Sequence, residues 1–376
     1  MIIIQILAIL AVFTAVVALH ELGHYLFARW RKMDVEEFAI GFGPKAFGVR
    51  SKSGTLFAFR MIPLGGFVRI KGMEPKPDGS EVSIEGGFYS KGLKSRAIVL
   101  FAGPLFSVLF GYFVYWGAIA ISGDPRPTPE PIVGVVFEKV KDDETGIEEE
   151  TPAFKAGLKP GDLILSVNGE EIKSFYDFRL KTRESVDIPM QVVVQRNGTT
   201  KSLTITPVKK LATLSGPDGL PETNPDGSPK RAEAGWIGAM HKNVFVKVGF
   251  LEAGRISLDR CVMLIRETVR VLLNPNRLKE EIGGPITIGR LIGAAASDSI
   301  PTLVSITAFI SLSLGLINLI PIPIFDGGQL VIVGIEALRR GKRIPFKTQL
   351  AWMNIGFLLL IMIIISVIML DINRMR

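Results

Sequence analysis

The sequence of 376 residues has few of the side chains that disulfides and cysteine-based metal sites require. It contains one cysteine, Cys261, and three histidines. A single cysteine excludes an internal disulfide and a cysteine-based zinc site. The simplest interpretation of Cys261 is a small, buried apolar residue. Any metal site in this chain must therefore be built from other ligand types.

Charged residues are also scarce, at 21% of the chain, whereas hydrophobic residues make up 48% and the mean hydropathy is +0.35. This balance is too apolar for an ordinary soluble enzyme and too charged for a protein buried wholly in lipid. The net charge of +8 comes without an aromatic–basic recognition pattern. Loops facing anionic lipid explain it, so we expect the lipid bilayer as a partner and no nucleic acid.

Four apolar stretches are long enough to cross a bilayer as helices. They cover about residues 2–28, 97–121, 300–324 and 350–370. The second and fourth have no polar face, which argues against amphipathic helices on a soluble core. The first has no basic start and no small residues at its end, unlike a cleavable signal peptide. We therefore predict an α-helical polytopic membrane protein with about four transmembrane helices.

The first apolar stretch contains the motif His20-Glu21-Leu22-Gly23-His24. Two histidines four residues apart share one helix face and can hold one zinc ion, and the glutamate between them can act on a bound water. The alternative is a chance group of polar residues at a helix end, which is disfavoured because such a cluster is costly in lipid. The motif predicts a Zn²⁺ site with His20 and His24 as ligands and Glu21 as the catalytic base.

A catalytic zinc needs a third protein ligand and an open position. His241 is the remaining histidine, but it lies in the long segment between the second and third spans. Asp326 follows the third span, and the alternation of spans places it at the same membrane face as His20 and His24. An acid at that position is expensive unless it has a functional partner. We therefore expect Asp326 to be the third metal ligand.

Basic loops set the expected orientation. Lysine and arginine are concentrated in residues 29–96 and 339–347, and both loops lie between odd- and even-numbered spans. The positive-inside rule makes that side cytoplasmic, so the zinc site lies near the cytoplasmic face and residues 122–299 lie outside. Alternation over 45–72 predicts a cytoplasmic, membrane-associated β-hairpin. It is either an ordinary hairpin or an edge where extended substrate pairs with Leu56, Phe57, Ala58 and Phe59.

The rest of the chain divides by composition. We expect N- and C-terminal membrane parts at 1–121 and 300–376. Between them are a proline-rich linker at 122–131, a compact β-rich unit at 132–208, and a loop followed by amphipathic helices at 209–299. The β-rich unit contains Gly157-Leu-Lys-Pro-Gly-Asp-Leu-Ile-Leu-Ser-Val-Asn-Gly, which is typical of bacterial PDZ domains. We therefore expect an inserted α+β PDZ domain, which either binds a peptide in its groove or only spaces and filters substrates.

Taken together, the motifs resemble the site-2 protease family of intramembrane zinc proteases, of the bacterial RseP type with a single PDZ domain. The matching elements span nearly the whole chain: residues 20–24, Gly41-Phe-Gly-Pro, Pro63-Leu-Gly-Gly, Ala102-Gly-Pro, Gly283-Gly-Pro, and Asn318-x-x-Pro-x-Pro-x-x-Asp-Gly. Phe325 replaces the usual leucine before Asp-Gly, which keeps an apolar neighbour beside Asp326. Ser107 stands where asparagine is common, so the polar side chain of the second span at this position is a hydroxyl rather than an amide.

This resemblance implies a zinc metalloendopeptidase in the bacterial inner membrane that cleaves the spans of single-pass proteins, as in regulated intramembrane proteolysis. Its substrates would be anti-sigma factors or remnant signal peptides. The resemblance also implies that Asn318 binds the substrate backbone or the oxyanion, although a structural hydrogen bond between helices is as good an explanation. One rival interpretation is a catalytically silent scaffold that presents a PDZ domain, against which the intact Glu21 argues. The other is a membrane-anchored zinc protease for soluble peptides, against which the burial of the motif argues.

Overall fold

The computed structural model of the chain describes residues 2–74, 76–141, 148–217, 222, 224, 230–274, 278 and 283–375. These residues form two compact units. The first consists of Met1–Ala118 together with Phe250–Met375, and the second consists of Ile119–Gly249. The second unit is thus an insertion in the first.

The helices of the described residues, in chain order, are α1 (Ile2–Trp30), α2 (Leu93–Ser122), α3 (Pro152–Lys155), α4 (Phe175–Glu184), α5 (Phe250–Leu273), α6 (Pro285–Asp298), α7 (Ile300–Asn318), α8 (Asp326–Leu338) and α9 (Phe346–Met375). Of these, α1, α2, α7 and α9 are long and apolar enough to cross a membrane. The prediction of four helices able to cross a membrane is confirmed.

The third span ends earlier than its apolar run. Helix α7 stops at Asn318, whereas the predicted stretch reached residue 324. Pro321 and Pro323 follow, and proline supplies no amide donor to continue a helix. A short irregular turn therefore separates α7 from α8, and Asp326 is the first residue of α8.

The expected hairpin is present but longer than predicted. Strands β1 (Val35–Arg50) and β2 (Leu56–Ile70) pair antiparallel, and the turn between them contains Ser51–Thr55. Strand β1 is bent, and both of its halves pair with β2. In the first half, residues 37–40 pair with 66–69 on one side and with 56–59 on the other. Residues 56–59 also pair with 47–50. The exposed edges of this curled sheet are therefore 45–50 and 66–70.

This register corrects one prediction. Leu56, Phe57, Ala58 and Phe59 are paired on both sides, so their backbone amides and carbonyls are already used in the sheet. A strand without a free edge cannot receive an extended peptide. Alternation along the sequence identified the strand, but it carries no information about how many neighbours the strand has.

The inserted unit is built around a four-stranded sheet, whose strands lie in the order Thr199–Ile205, Met190–Arg196, Leu163–Val167 and Glu170–Glu171. The remaining strands form two-stranded ribbons. The strands are β3 (Asp124–Pro127), β4 (Val133–Val136), β5 (Lys139–Lys141), β6 (Glu148–Glu150), β7 (Leu163–Val167), β8 (Glu170–Glu171), β9 (Met190–Arg196), β10 (Thr199–Ile205), β11 (Val208–Thr213), β12 (Arg231–Trp236), β13 (Ala239–His241) and β14 (Asn243–Val246). Helix α4 and the sheet enclose an apolar core that includes Phe178, Met190, Val192 and Ile237.

The bounds of this unit differ from the predicted 132–208. Strand β13 pairs with β4, and β14 pairs with β3, so residues up to 246 complete the same unit. The segment 122–131 is therefore partly a strand rather than only a linker. Residues 209–235, predicted as a loop, contain the β11–β12 hairpin, while 218–221, 223 and 225–229 lie outside the described residues. The amphipathic helix expected within 209–299 is α5, which begins at Phe250.

Candidate metal centre and active site

Three side chains from two separate parts of the membrane unit converge on one point. The Nε2 atoms of His20 and His24 lie 3.2 and 3.3 Å from Oδ2 of Asp326. Their side chains are 7%, 12% and 17% exposed, so water reaches the cluster only in part. The histidines are one turn apart on α1, and Asp326 is held by the turn that follows α7.

These distances test whether the three residues fit a zinc ion. Ligand atoms about 2.0–2.1 Å from a tetrahedral zinc lie about 3.3–3.4 Å from one another. The two measured separations agree with this value, and all three ligand atoms lie within 4.8 Å of one another. Two imidazoles and a carboxylate leave one tetrahedral position open, as a catalytic site needs. The residues therefore fit the metal.

Each histidine is oriented through its other ring nitrogen. Nδ1 of His20 lies 2.9 Å from Oγ of Ser107, and Nδ1 of His24 lies 2.9 Å from the carbonyl of Val99. Both partners belong to α2. If the Nδ1 atoms carry the protons, the Nε2 lone pairs point at the metal position. The carbonyl of Ser107 in turn accepts a hydrogen bond of 2.7 Å from Ser311 on α7.

Close approach of α1 to α2 depends on two glycines. A Cβ on Gly103 would overlap the His24 ring, and a Cβ on Gly23 would overlap the carbonyl of Ala102. The Ala-Gly-Pro motif thus leaves room for the His24 imidazole against α2. From the sequence, this motif was recognisable only through the family resemblance. Its contact with His24 was not predictable, because His24 lies 79 positions before Gly103.

Glu21 lies beside the metal position and lines a cavity of about 440 Å³. The same cavity is lined by His20, His24, Asp326 and Asn318. On the side of the sheet, Gly65, Gly66 and Val68 of β2 complete it. The backbone of Val68 approaches the Glu21 carboxylate, and the Cα of Gly66 faces the Glu21 side chain. The free edge of the curled sheet therefore borders the predicted base.

Two further candidate residues can now be placed. His241 belongs to the inserted unit, where it faces the ring of Phe175, and burial lowers the pKa of its imidazole. It is not one of the residues that cluster with His20, His24 and Asp326. Cys261 is buried on α5, as expected of a small apolar residue.

Comparison with known proteins agrees with this architecture. Residues 8–363 match peptidase family M50. A protein of Brucella suis biovar 1, provisionally named a zinc metalloprotease, is 30% identical over 370 residues, which cover 94% of this chain and 91% of that protein. A provisionally named zinc metalloprotease of Rhizobium meliloti is 31% identical over 373 residues, which cover 96% and 94%.

A relative of lower identity also matches over nearly its whole length. The protein Eep of Enterococcus faecalis, provisionally named a protease, is 27% identical over 444 residues, which cover 96% of this chain and 97% of Eep. The similarity thus extends over both units rather than over the metal motif alone. The chain therefore belongs to peptidase family M50, the site-2 proteases, and is a zinc metalloprotease of the membrane.

Proposed function

We propose that this protein is an intramembrane endopeptidase that cleaves the membrane-spanning segments of single-pass proteins, as in regulated intramembrane proteolysis. The observation that carries the proposal is the convergence of His20, His24 and Asp326 beside Glu21, among helices long enough to cross a bilayer. A site surrounded by such helices favours a substrate that is itself in the membrane. Anti-sigma factors and remnant signal peptides are the proposed substrate classes.

The proposed reaction assigns one role to each residue. His20, His24 and Asp326 would hold the zinc, which when bound would supply Lewis-acid polarisation of the scissile carbonyl and activation of water. Glu21 takes a proton from the attacking water and returns it to the leaving amine. Asn318, which lines the same cavity at the end of α7, binds the substrate backbone or the carbonyl oxygen.

The substrate must be unwound before this reaction, since a helix hides its peptide bonds in internal hydrogen bonds. We assign that task to the edge of β2 at residues 66–70, which borders Glu21. An extended segment paired there would place its backbone next to the catalytic groups. Pro321 and Pro323 interrupt the helical backbone before Asp326, and this leaves room for such a segment.

The inserted unit is proposed to be a PDZ domain outside the membrane. A cavity of about 450 Å³ is bordered by α4, by β13 and by the β11–β12 hairpin, and is lined among others by Phe175, Met240 and Trp236. A groove between a helix and a strand is the form in which PDZ domains hold a peptide. The unit either holds the outer tail of a substrate there or obstructs substrates with large outer domains, and we favour obstruction.

The first experiment separates catalysis from metal binding. Glu21→Gln should abolish cleavage of a tagged single-span substrate and leave zinc bound, because the amide keeps the shape of the side chain without its basicity. Glu36→Gln, on the exposed part of β1, is the matched control and should retain activity. Asp326→Asn should lose zinc and activity together, since an amide is a poorer ligand than a carboxylate. Zinc loss in Glu21→Gln, or full zinc in Asp326→Asn, would refute the assignment.

The second experiment tests the substrate class and the sheet edge. We expect the protein to cleave the membrane-spanning substrate and not a soluble peptide of the same sequence. Cleavage of the soluble peptide alone would indicate a membrane-anchored protease for soluble peptides. Val68→Pro removes an amide from the 66–70 edge and should slow cleavage without removing zinc. Val49→Pro on the opposite edge is the control. Equal activity in both variants would refute pairing at 66–70.

The third experiment tests the inserted unit. Strands β3 and β14 are the first and last strands of this unit, and they pair with each other. Deletion of residues 128–242 therefore leaves this strand pair intact. Under obstruction, the deletion should allow cleavage of substrates that keep a folded outer domain. If the groove captures a trimmed tail, the deletion should instead slow the cleavage of short substrates. Equal rates for long and short substrates with and without the unit would refute both roles.

A further inference from the structure

The membrane unit has a second cavity, separate from the metal centre, at the junction of α8 and α9. Its volume is about 210 Å³ and it exposes apolar atoms only. Ile332 and Ile335 of α8 form one wall. The other wall is formed by Thr348, Ala351, Trp352 and Ile355, whose spacing of three and four residues places them on one face of α9. That face runs for about 10 Å along the helix.

The cavity opens toward the surroundings of the protein. Ile335 is 41% exposed and Ile355 is 58% exposed, and Thr348 and Ala351 are also exposed. Since α9 is one of the four candidate spans, these surroundings are the bilayer. Thr348 and Ala351 are small compared with the isoleucines around them, so the face of α9 forms a groove there.

Basic residues lie at one end of the groove. The turn between α8 and α9 contains Arg339, Arg340, Lys342 and Arg343. Arg343 pairs with Glu81 at 2.6 Å, and Arg339 donates to the carbonyl of Arg343. Arg340 and Lys342 are exposed, and within the described part of the chain neither has a carboxylate partner. A positive end therefore adjoins an apolar groove.

We propose that this groove binds one anionic phospholipid of the bilayer, with an acyl chain along α9 and the phosphate at Arg340 and Lys342. An acyl chain suits a cavity whose exposed surface is apolar. A peptide or another polar ligand would leave its own donors and acceptors unpaired there. The neighbouring cations match the negative headgroup, and a neutral lipid would leave that interaction unused.

The test uses the full chain, purified in a non-ionic detergent and stripped of lipid. Native mass spectrometry counts the bound lipid after addition of dioleoyl-phosphatidylglycerol or of dioleoyl-phosphatidylcholine, which has the same acyl chains. We expect one phosphatidylglycerol molecule to be retained and phosphatidylcholine to be bound at least tenfold more weakly. Equal retention of the two lipids, or a second copy of the chain in place of a lipid, would overturn the proposal.

Two variants address the two halves of the site separately. Arg340→Asn with Lys342→Gln should weaken retention about 30-fold, which corresponds to about 1 kcal/mol for each basic residue near a membrane surface. Asn is chosen because residue 340 has a φ of 58°, a backbone conformation that Asn tolerates. Ala351→Phe fills the groove and should abolish retention while leaving the charges in place.

Matched controls place similar changes elsewhere. Lys155→Gln with Lys159→Gln removes two exposed charges from the inserted unit, and Ser366→Phe adds a phenyl group to an exposed position of α9 outside the groove. Both controls should retain the lipid. Unchanged retention in both the charge variant and Ala351→Phe would overturn the proposal. Displacement of the lipid by millimolar inorganic phosphate would refute a role for the acyl chain.

Discussion

A buried ion pair between α2 and α8 provides the sharpest test of how the membrane unit is held together. Arg96 donates to Oε2 of Glu336, and their side chains are 5% and 0% exposed. Oε1 of Glu336 accepts from the amide of Ile344 at 3.3 Å. Both helices also contribute to the zinc site, since α8 begins at Asp326 and α2 contains Val99 and Ser107, which orient the two histidines of α1.

Arg96 depends on this one carboxylate. Within the described part of the chain, its Nε and Nη1 atoms have no hydrogen-bond partner. Its guanidinium carbon instead lies 5.1 Å from the ring centre of Tyr89 and 5.9 Å from that of Phe88. Cation–π contacts of this kind contribute about 1–2 kcal/mol when desolvated, which is less than the cost of an unpaired buried charge.

Glu336→Gln should therefore destabilise the membrane unit by about 3 kcal/mol, the lower end of the range for breaking a buried pair. The assay is equilibrium unfolding of the purified protein in mixed micelles, with zinc content measured in the same samples. We expect zinc to be released at lower denaturant in the variant, because α8 holds Asp326. Asp34→Asn, which alters an exposed pair with Arg29, is the control and should change little.

Replacing both members of the pair shows whether the destabilisation comes from an unpaired buried charge or from lost packing. Arg96→Met with Glu336→Met removes both charges and should be more stable than Glu336→Gln alone, since no unpaired charge remains. If the double variant is the less stable of the two, or if Glu336→Gln unfolds like the control, the reasoning is wrong.

Three further predictions concern positions around the site. Ser107→Ala should weaken zinc affinity about tenfold by freeing the His20 ring, which competition with a chelator measures. Gly103→Ala should prevent zinc binding, because the added methyl group takes the space of the His24 imidazole; metal analysis of the purified variant checks this. Asp371→Asn should lower stability by about 1–2 kcal/mol in micelle unfolding, since Asp371 accepts three amide hydrogen bonds at the start of α6.

The turn of the inserted unit illustrates what local sequence is able to predict. Asn197-Gly198 is a residue pair typical of a hairpin turn, and the structure has both residues at positive φ between β9 and β10. The limits of the same unit were not predictable, because β13 and β14 return to strands more than a hundred residues earlier. Pairing between distant strands leaves no periodic signal in either strand.

The sequence by itself determined the elements whose physics is local. A long run of apolar residues predicts a helix able to cross a bilayer, and a spacing of four places His20 and His24 on one helix face. Counting spans predicts that Asp326 lies at the same membrane face as the two histidines. Only the tertiary structure decided which side chains meet these residues, because Ser107 contacts His20 across 87 positions. It likewise decided that residues 66–70, rather than 56–59, form the free edge beside Glu21, since a strand's neighbours depend on how the whole sheet folds.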